Sequence, residues 1–432
     1  MQGRSLPGER LAAGTDLRRL ALFCCFLVLA SSVLPRRNVG GVKVSGMELA
    51  FLPLMMGWAF WWKTGLPLRW PKAMPLFFVI MPLLMILSQF VPYYWKEDPN
   101  ILAIGLVQSF RRVVPALFLL LLVQVPVSER DLRRIAVFLF LIPVLGALVH
   151  LALVNKLVPG VSTVNVLTSG YVRVITNLVG MGFIGDVFKQ NRMAGNSGSP
   201  SIYGLLCVLN TILLSALYRQ GVVGFRFFLV NLFIMPFLLL ASAAKTAIAA
   251  FALFVPIALL RHRVGRLVVA VTILFGAFVV FLVQERIQQA IGPLFVTLMQ
   301  NSETSGEGRL EGWGHAYETL SEEPLLFWLG QGWRTGQNRS GMAGWHNESL
   351  EFIMDFGVPL GLTLLAVMYF YIPFRIWSHR PSTGLPFDRV DILLIIFSTY
   401  FCGISQDVTF DPSVMIFLVT VFAIYFSRAE GA

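Results

Sequence analysis

Apolar runs of nearly bilayer-spanning length follow one another along almost the whole chain. A transmembrane helix needs about 20 mostly apolar residues. Of the 432 residues, 56% are hydrophobic and only 13% are charged, whereas about a quarter of the residues of a soluble domain carry charge. We therefore predict an all-α polytopic membrane protein of about twelve transmembrane helices. The predicted spans lie near residues 20–34, 47–62, 74–92, 110–126, 134–155, 200–218, 226–240, 246–260, 266–284, 350–377, 390–406 and 412–427.

The basic residues are scattered between these apolar runs. The formal net charge is +11, but no basic domain stands out, so we expect no nucleic-acid partner and expect contact with anionic membrane lipids. If the N-terminus lies on the inner side, the segments on that side hold slightly more Lys and Arg than the segments on the outer side, and this excess favours that orientation. The arginines before Leu20 are not followed by a small-x-small cleavage site, so we interpret the first run as a retained span.

Two segments, 156–199 and 285–349, are too polar to cross a bilayer. The second follows the ninth predicted span and therefore faces outward if the N-terminus lies inside. A loop of this length without secondary structure would be unusual, and "EGRLEGWGHAYETLSEEP" is typical of a helix that Pro324 ends. We predict one membrane domain over 1–432, with 156–199 as an outer polar segment and 285–349 as a large periplasmic loop that carries short helices.

Two cations of the predicted outer surface have neighbours that suit an anionic ligand. Lys245 lies in "ASAAKTAIAAF", at the start of an apolar helix with small neighbours. A lysine combined with a helix N-terminus favours phosphate, although a lysine at this depth also snorkels to the interface. Arg309 and Trp313 are four residues apart and lie on one helix face if the segment that joins them is helical. The arginine offers a planar fork for phosphate oxygens, or a surface ion pair with Glu307 or Glu311.

The stretch "GWHNESLEFIMDFGVPLGL" (344–362) places His346, Asn347 and Glu348 directly before a predicted span. The ordinary pKa of histidine suits proton transfer near neutrality. A single histidine at an interface is more often structural than catalytic. The residues around His346 favour a catalytic role more than a single histidine would, because the stretch belongs to a larger pattern.

That pattern resembles the bacterial O-antigen ligase and polymerase superfamily. There, a His-Asn motif near the end of a large periplasmic loop precedes a span with a Gly-x-x-Gly ending, here Gly357 and Gly361. "GRLEGW" followed by "EEPLLFWLGQGW" is similar to the family's Arg-x-x-x-Trp helix and its Pro-to-Gly-x-Gly turn. "RMAGNSGSPSIYG", which begins at Arg192, resembles its upstream Arg-x-x-Gly segment. "SAAKTA" departs from the pattern, because Lys245 stands where the family usually has arginine.

The resemblance implies a fold, a reaction and a location. The family moves a glycan from an undecaprenyl-diphosphate carrier to an acceptor hydroxyl at the periplasmic face of the inner membrane, without a metal, a nucleotide or another cofactor. Polymerases extend another lipid-linked repeat unit, whereas ligases use lipid A core or a different terminal acceptor. We expect the same carrier, a glycan or lipid A core acceptor, and chain-length regulator or export proteins as partners.

The residues fit that chemistry as expectations. Cleavage of the sugar–diphosphate bond builds negative charge on the leaving group, which fixed cations stabilise; Lys245, Arg309 and Arg192 are the candidates. His346 is the expected general base, with Asn347 or Glu348 orienting it and Trp313 supporting the site. The outer loops contain no paired-carboxylate motif and the chain no CxxC pair, so no metal site is predicted.

Other functions stay open at this level. A lipid-linked oligosaccharide transporter would suit the span count, although transporters tend to have repeated halves and polar groups at mid-membrane. A scaffold of a polysaccharide export complex would not need the histidine, arginine and lysine motifs. Within the family, the sequence leans slightly towards a polymerase of O-antigen or exopolysaccharide rather than a ligase.

Overall fold

The apolar runs form helices throughout the described part of the chain. The structure is a computed structural model and describes residues 7–31, 37–39, 42–44, 46–68, 74–91, 99–125, 127–154, 199–242, 244–282, 313–333, 347–378, 387–404 and 408–428. In the first half lie α1 Pro7–Ser31, the strands β1 Arg37–Val39 and β2 Val42–Val44, then α2 Gly46–Lys63, α3 Met74–Ser88, α4 Pro99–Gln124 and α5 Glu129–Val154. The two short strands pair antiparallel.

The second half is helical in every described segment longer than a turn. It contains α6 Pro200–Arg219, α7 Phe225–Ser242, α8 Lys245–Leu260, α9 Arg263–Leu282, α10 over 313–322, α11 Pro324–Leu329, α12 Glu348–Phe356, α13 Val358–Ala366, a π-helical turn Val367–Tyr371, α14 Ile372–Ser378, α15 Arg389–Gly403 and α16 Pro412–Arg428. Thus 313–329, within the large predicted loop, forms two short helices.

The protein is a helical membrane protein. Five described helices are long and apolar enough to cross a bilayer: Gly105–Gln124, Glu129–Ala152, Pro200–Arg219, Phe225–Ser242 and Val358–Ser378. Three shorter apolar helices are Phe77–Ser88, Lys245–Leu260 and Pro412–Phe426. Each of the twelve predicted spans overlaps a helix, but several of these helices have only 15 to 17 residues. The number of twelve crossings therefore stays a prediction.

Helix α6 is the most enclosed of the candidate spans, with 89% of its apolar window buried. It packs against α5, α7, α8 and α15. Gly204 allows the closest approach to α8, because a Cβ there would lie 2.8 Å from the Cβ of Ala247. Small residues permit close packing of membrane helices in this way. A second group consists of α1 to α4 and α16, and α4 packs against each of the other four.

One end of the α6, α8 and α15 group is closed by a four-residue ionic cluster. Arg261 donates to Asp391 at 2.8 Å, Arg219 donates to Asp388 at 3.0 Å, and each arginine also contacts the other aspartate. Burial raises the pKa of Asp388, but its hydrogen bond to Arg261 and the charges of both arginines outweigh burial and lower it. We call this cluster the clamp. It joins three helices through charged groups that compensate one another.

His262 lies beside the clamp as a neutral imidazole. The Gly265 N–H donates to its Nδ1 at 2.9 Å, so Nε2 carries the proton and donates to Ser215 Oγ at 3.1 Å. The rings of Tyr218 and Phe228 each meet the imidazole edge-on at 5.2 Å. A second proton on Nδ1 would face the Gly265 N–H, so the fold favours the neutral form.

The state of His262 predicts a dependence of stability on pH. Burial, and then the charge of Arg219, lower the pKa of His262 below its ordinary 6.5. Below pH 6.5 the unfolded chain therefore binds a proton that the folded protein resists, and stability falls as the pH falls. We expect thermal unfolding in detergent to occur at a lower temperature at pH 5.5 than at pH 7.5. His262→Gln should reduce this difference, and an unchanged difference would contradict the assignment.

Candidate active site

The start of α12 is fixed by the two residues that follow His346 in the chain. Asn347 caps the helix, since its Oδ1 accepts from the Leu350 N–H at 3.0 Å. Its Nδ2 donates to the carbonyl of Ile404 at 3.3 Å. Both ends of the amide are thus engaged, and they tie the beginning of α12 to the end of α15.

Glu348 makes the stronger anchor. Its side chain is fully buried. One carboxylate oxygen accepts from the Thr409 N–H at 3.0 Å, and the other accepts from Thr409 Oγ1 at 2.8 Å. A Cβ on Gly403 would lie 2.4 Å from Glu348 Oε2, so the glycine makes room for the carboxylate. A buried carboxylate is tolerable when hydrogen bonds replace water, and here they join α12 to the segment before α16.

The π-helical turn supports the same region. The hydroxyl of Tyr369, within the turn, is hydrogen-bonded to the hydroxyl of Ser349, with 3.2 Å between the two oxygens. Tyr400 of α15 donates to the Met368 carbonyl at 2.6 Å, and its ring packs edge-on against Tyr369. A π turn in an α-helix offsets carbonyls from their usual partners and is frequent at functional sites. The span after α12 is therefore joined to α15 through Tyr400, and to α12 at Ser349, one residue beyond Glu348.

The two glycine-containing motifs of the sequence meet in space. The Gln331 N–H donates to the Met354 carbonyl at 2.9 Å, and the Gly332 N–H donates to the Asp355 carbonyl at 3.0 Å. These bonds satisfy carbonyls at the end of α12 that lack a helical partner. The Gly-Gln-Gly-Trp turn of the large loop, residues 330–333, is consequently docked on the C-terminal end of α12.

The glycines themselves are required by this docking. Gly330 and Gly357 have φ angles of +70° and +79°, a conformation that side chains disfavour. A Cβ on Gly357 would lie 2.6 Å from the Trp328 carbonyl oxygen, and one on Gly330 would lie 2.4 Å from the Gly357 nitrogen. Gly361 also makes room for the backbone, because a Cβ added there would lie 2.8 Å from the Phe352 carbonyl oxygen. Three glycines of the motifs thus serve backbone contact.

Trp333 ends this turn in a closed socket. Its side chain is fully buried. Its backbone N–H donates to Ser88 Oγ at 3.0 Å, and its backbone carbonyl accepts from Gln89 Nε2 at 2.8 Å. The guanidinium of Arg112 lies 5.7 Å from the indole centroid. Arg112 Nε donates to the Phe410 carbonyl at 3.1 Å. The loop therefore contacts the end of α3, the middle of α4 and, through the ring of Phe410, the segment before α16.

Three acidic side chains on one face of α12 are buried, namely Glu348, Glu351 and Asp355. Their spacing of three and four residues places them one above another. Gln331 Nε2 lies 3.4 Å from Asp355 Oδ1. Among the described residues, no group of three or more His, Cys, Asp or Glu side chains is arranged to hold a metal ion.

Lys245 lies at the same end of the bundle as Asn347 and Glu348. Helices α8 and α15 both have one end at the clamp, so Lys245 and Gly403 mark their opposite ends. Gly403 contacts Glu348. We call this end of the bundle the site end. Lys245 is exposed there as the first residue of α8, and the positive end of the dipole of that helix favours an anion.

Of the other predicted site residues, some lie within the described part of the chain and some lie outside it. His346, Arg309 and Arg192 lie outside the described residues, as does the polar segment 156–198. Trp313 is the first described residue of α10, with 37% of its side chain exposed.

Three site-end residues that are buried or engaged were not predicted as site residues: Arg112, Thr409 and Trp333. Arg112 lies two residues inside the fourth predicted span, 110–126. An arginine within an apolar run is the one sequence signal that points to a buried polar contact.

Comparison of the chain with family models, with curated proteins and with solved structures found no match.

Proposed function

We propose that the protein is a membrane glycosyltransferase that moves a glycan from an undecaprenyl-diphosphate carrier to an acceptor hydroxyl at the periplasmic face of the bacterial inner membrane. The polymerase of an O-antigen or exopolysaccharide is the preferred form, and a ligase that uses lipid A core is the alternative. The observation that carries the proposal is the docking of the Gly-Gln-Gly-Trp turn on the helix that follows His346. Two motifs of one family pattern meet there, although they are separate in the sequence.

The chemistry assigned to the site is acid–base and electrostatic. In the proposal His346 takes the proton of the acceptor hydroxyl as that oxygen attacks the anomeric carbon. The bond between the sugar and the diphosphate breaks, and the negative charge passes to the diphosphate. Lys245, Arg309 and Arg192 stabilise that charge. Asn347 and Glu348 hold the chain beside His346 and are positioning residues in this account.

The test uses purified protein in detergent with an undecaprenyl-diphosphate oligosaccharide. We expect wild type to give a ladder of products when these are separated by size. His346→Ala should lower the rate by about 100-fold or more, as loss of a general base does. His315→Ala is the matched control, because His315 is the exposed histidine of α10 and should leave the ladder unchanged.

The other outcomes distinguish the alternatives. A single transfer that requires added lipid A core identifies a ligase. Movement of the carrier across a proteoliposome membrane, without any change in glycan size, identifies a transporter. Equal conversion of the donor by wild type and His346→Ala would show that His346 is an interface residue and would overturn the proposed mechanism.

A further inference from the structure

Helix α11 presents apolar side chains to its surroundings although it lies outside the candidate spans. Five of its six residues are exposed, and only Leu326 is buried. The exposed fractions are 48% for Leu325, 64% for Trp328 and 49% for Leu329. Contiguous apolar surface of this kind marks contact with another protein or with a membrane.

The position of α11 identifies which of these it meets. The Trp328 carbonyl is in contact with Gly357, the residue directly before the candidate span Val358–Ser378, and α11 packs against α13. That span has only 33% of its apolar window buried, so most of its apolar surface is exposed, as contact with lipid requires. The exposed side of α11 is therefore continuous with a lipid-facing surface, at the level where the span begins.

The flanking residues limit how deep α11 lies. Glu322 and Glu323 are exposed directly before Pro324, and ionised carboxylates stay in water or among headgroups. Tyr317, on the neighbouring helix α10, is 74% exposed. Tryptophan and tyrosine concentrate at the boundary between headgroups and acyl chains. Exposed acidic groups directly before α11, together with exposed aromatic groups on α11 and α10, are what a helix at the membrane surface requires.

We propose that α11 is an interfacial anchor whose Leu325, Trp328 and Leu329 side chains insert into the outer leaflet of the bilayer. The anchor fixes the height of the Gly-Gln-Gly-Trp turn above the membrane, because Gly330 follows α11 directly and contacts Gly357. This inference is independent of the glycan that is transferred and goes beyond the proposed function.

The test measures depth in the membrane with nitroxide labels. Trp328→Cys and Leu325→Cys variants are labelled and placed in liposomes, and the four native cysteines are buried. Glu322→Cys is the control for water, and Phe370→Cys, on the exposed side of the candidate span, is the control for lipid. Accessibility to oxygen relative to a water-soluble nickel chelate should be about threefold higher at 328 and 325 than at 322, because apolar faces of interfacial helices lie about 5–10 Å into the headgroup and acyl boundary.

Each other outcome overturns the proposal. A ratio at 328 and 325 equal to that at 322 would mean that α11 faces water. Immobile labels that neither reagent reaches would mean that another protein, or a second copy of the chain, covers this face. Because the measurement needs no substrate, a failure of the anchor is distinguishable from a failure of the glycosyltransferase proposal.

Discussion

Arg261→Met is expected to lower the free energy of unfolding by about 3 kcal/mol, because breaking a buried ion pair leaves an uncompensated charge. Asp391 is 1% exposed and would lose its 2.8 Å bond to Arg261. Arg219 would remain as its ionic partner within the clamp, so the loss should lie at the lower end of the range for such pairs. The measurement is reversible unfolding in mixed detergent micelles, followed by circular dichroism.

The matched control is Arg263→Met, which removes an exposed arginine two residues away. Its effect should stay within about 0.5 kcal/mol, as at most surface positions. Replacement of both arginines by methionine together with Asp388→Asn and Asp391→Asn, which keep side-chain oxygens at the cap of α15, should cost less than Arg261→Met, because no charge is then left without a partner. Equal effects of Arg261→Met and Arg263→Met would show that the clamp contributes little to the fold.

The clamp also shows why the sequence predicts the helices better than their contacts. The length and composition of each apolar run predict a helix, and the structure has a helix at each run. Arg219 and Asp391, in contrast, are separated by 172 positions, and each is an ordinary charge at a helix end. Nothing local in the chain tells which charges will meet, because that depends on how α6, α8 and α15 are arranged.

Arg112 illustrates a different limit. A charge inside lipid is expensive, and the fourth predicted span, 110–126, begins two residues before Arg112. The structure instead has helix α4 from Pro99 onward, with Arg112 in its interior and 3% exposed. Its charge faces a carbonyl oxygen and the indole of Trp333. A rule about lipid cannot foresee a polar environment that distant parts of the same chain supply.

Parts of the candidate site were predictable where the backbone conformation requires a particular residue type. Gly330 and Gly357 were found from their motifs, and their positive φ angles explain why glycine stands there. Thr409 left no such signal, since one hydroxyl between two predicted spans is common. Its role follows only from its two bonds to Glu348. The roles of His346, Arg309 and Arg192 remain predictions from the sequence.

Glu348 provides the second large effect, and its variants separate anchoring from proton transfer. Glu348→Ala should lower the proposed glycan transfer by about 100-fold, because a displacement of about 1 Å at a reacting group has that cost. The alanine removes both acceptors of Thr409 and leaves the start of α12, which follows His346, without its anchor. Thr409→Val removes only the hydroxyl bond and should have a smaller effect.

Glu348→Gln decides between the two roles. The glutamine carbonyl can accept from the Thr409 N–H, and its NH₂ group can donate to Thr409 Oγ1, so both contacts survive without the charge. If Glu348 is an anchor, the glutamine variant keeps activity within about fivefold of wild type, in line with a conserved hydrogen-bond geometry. If it transfers the proton itself, the glutamine variant is as inactive as the alanine variant. We expect the first result, because the carboxylate is fully buried against Thr409 and Gly403, which leaves His346 as the candidate base.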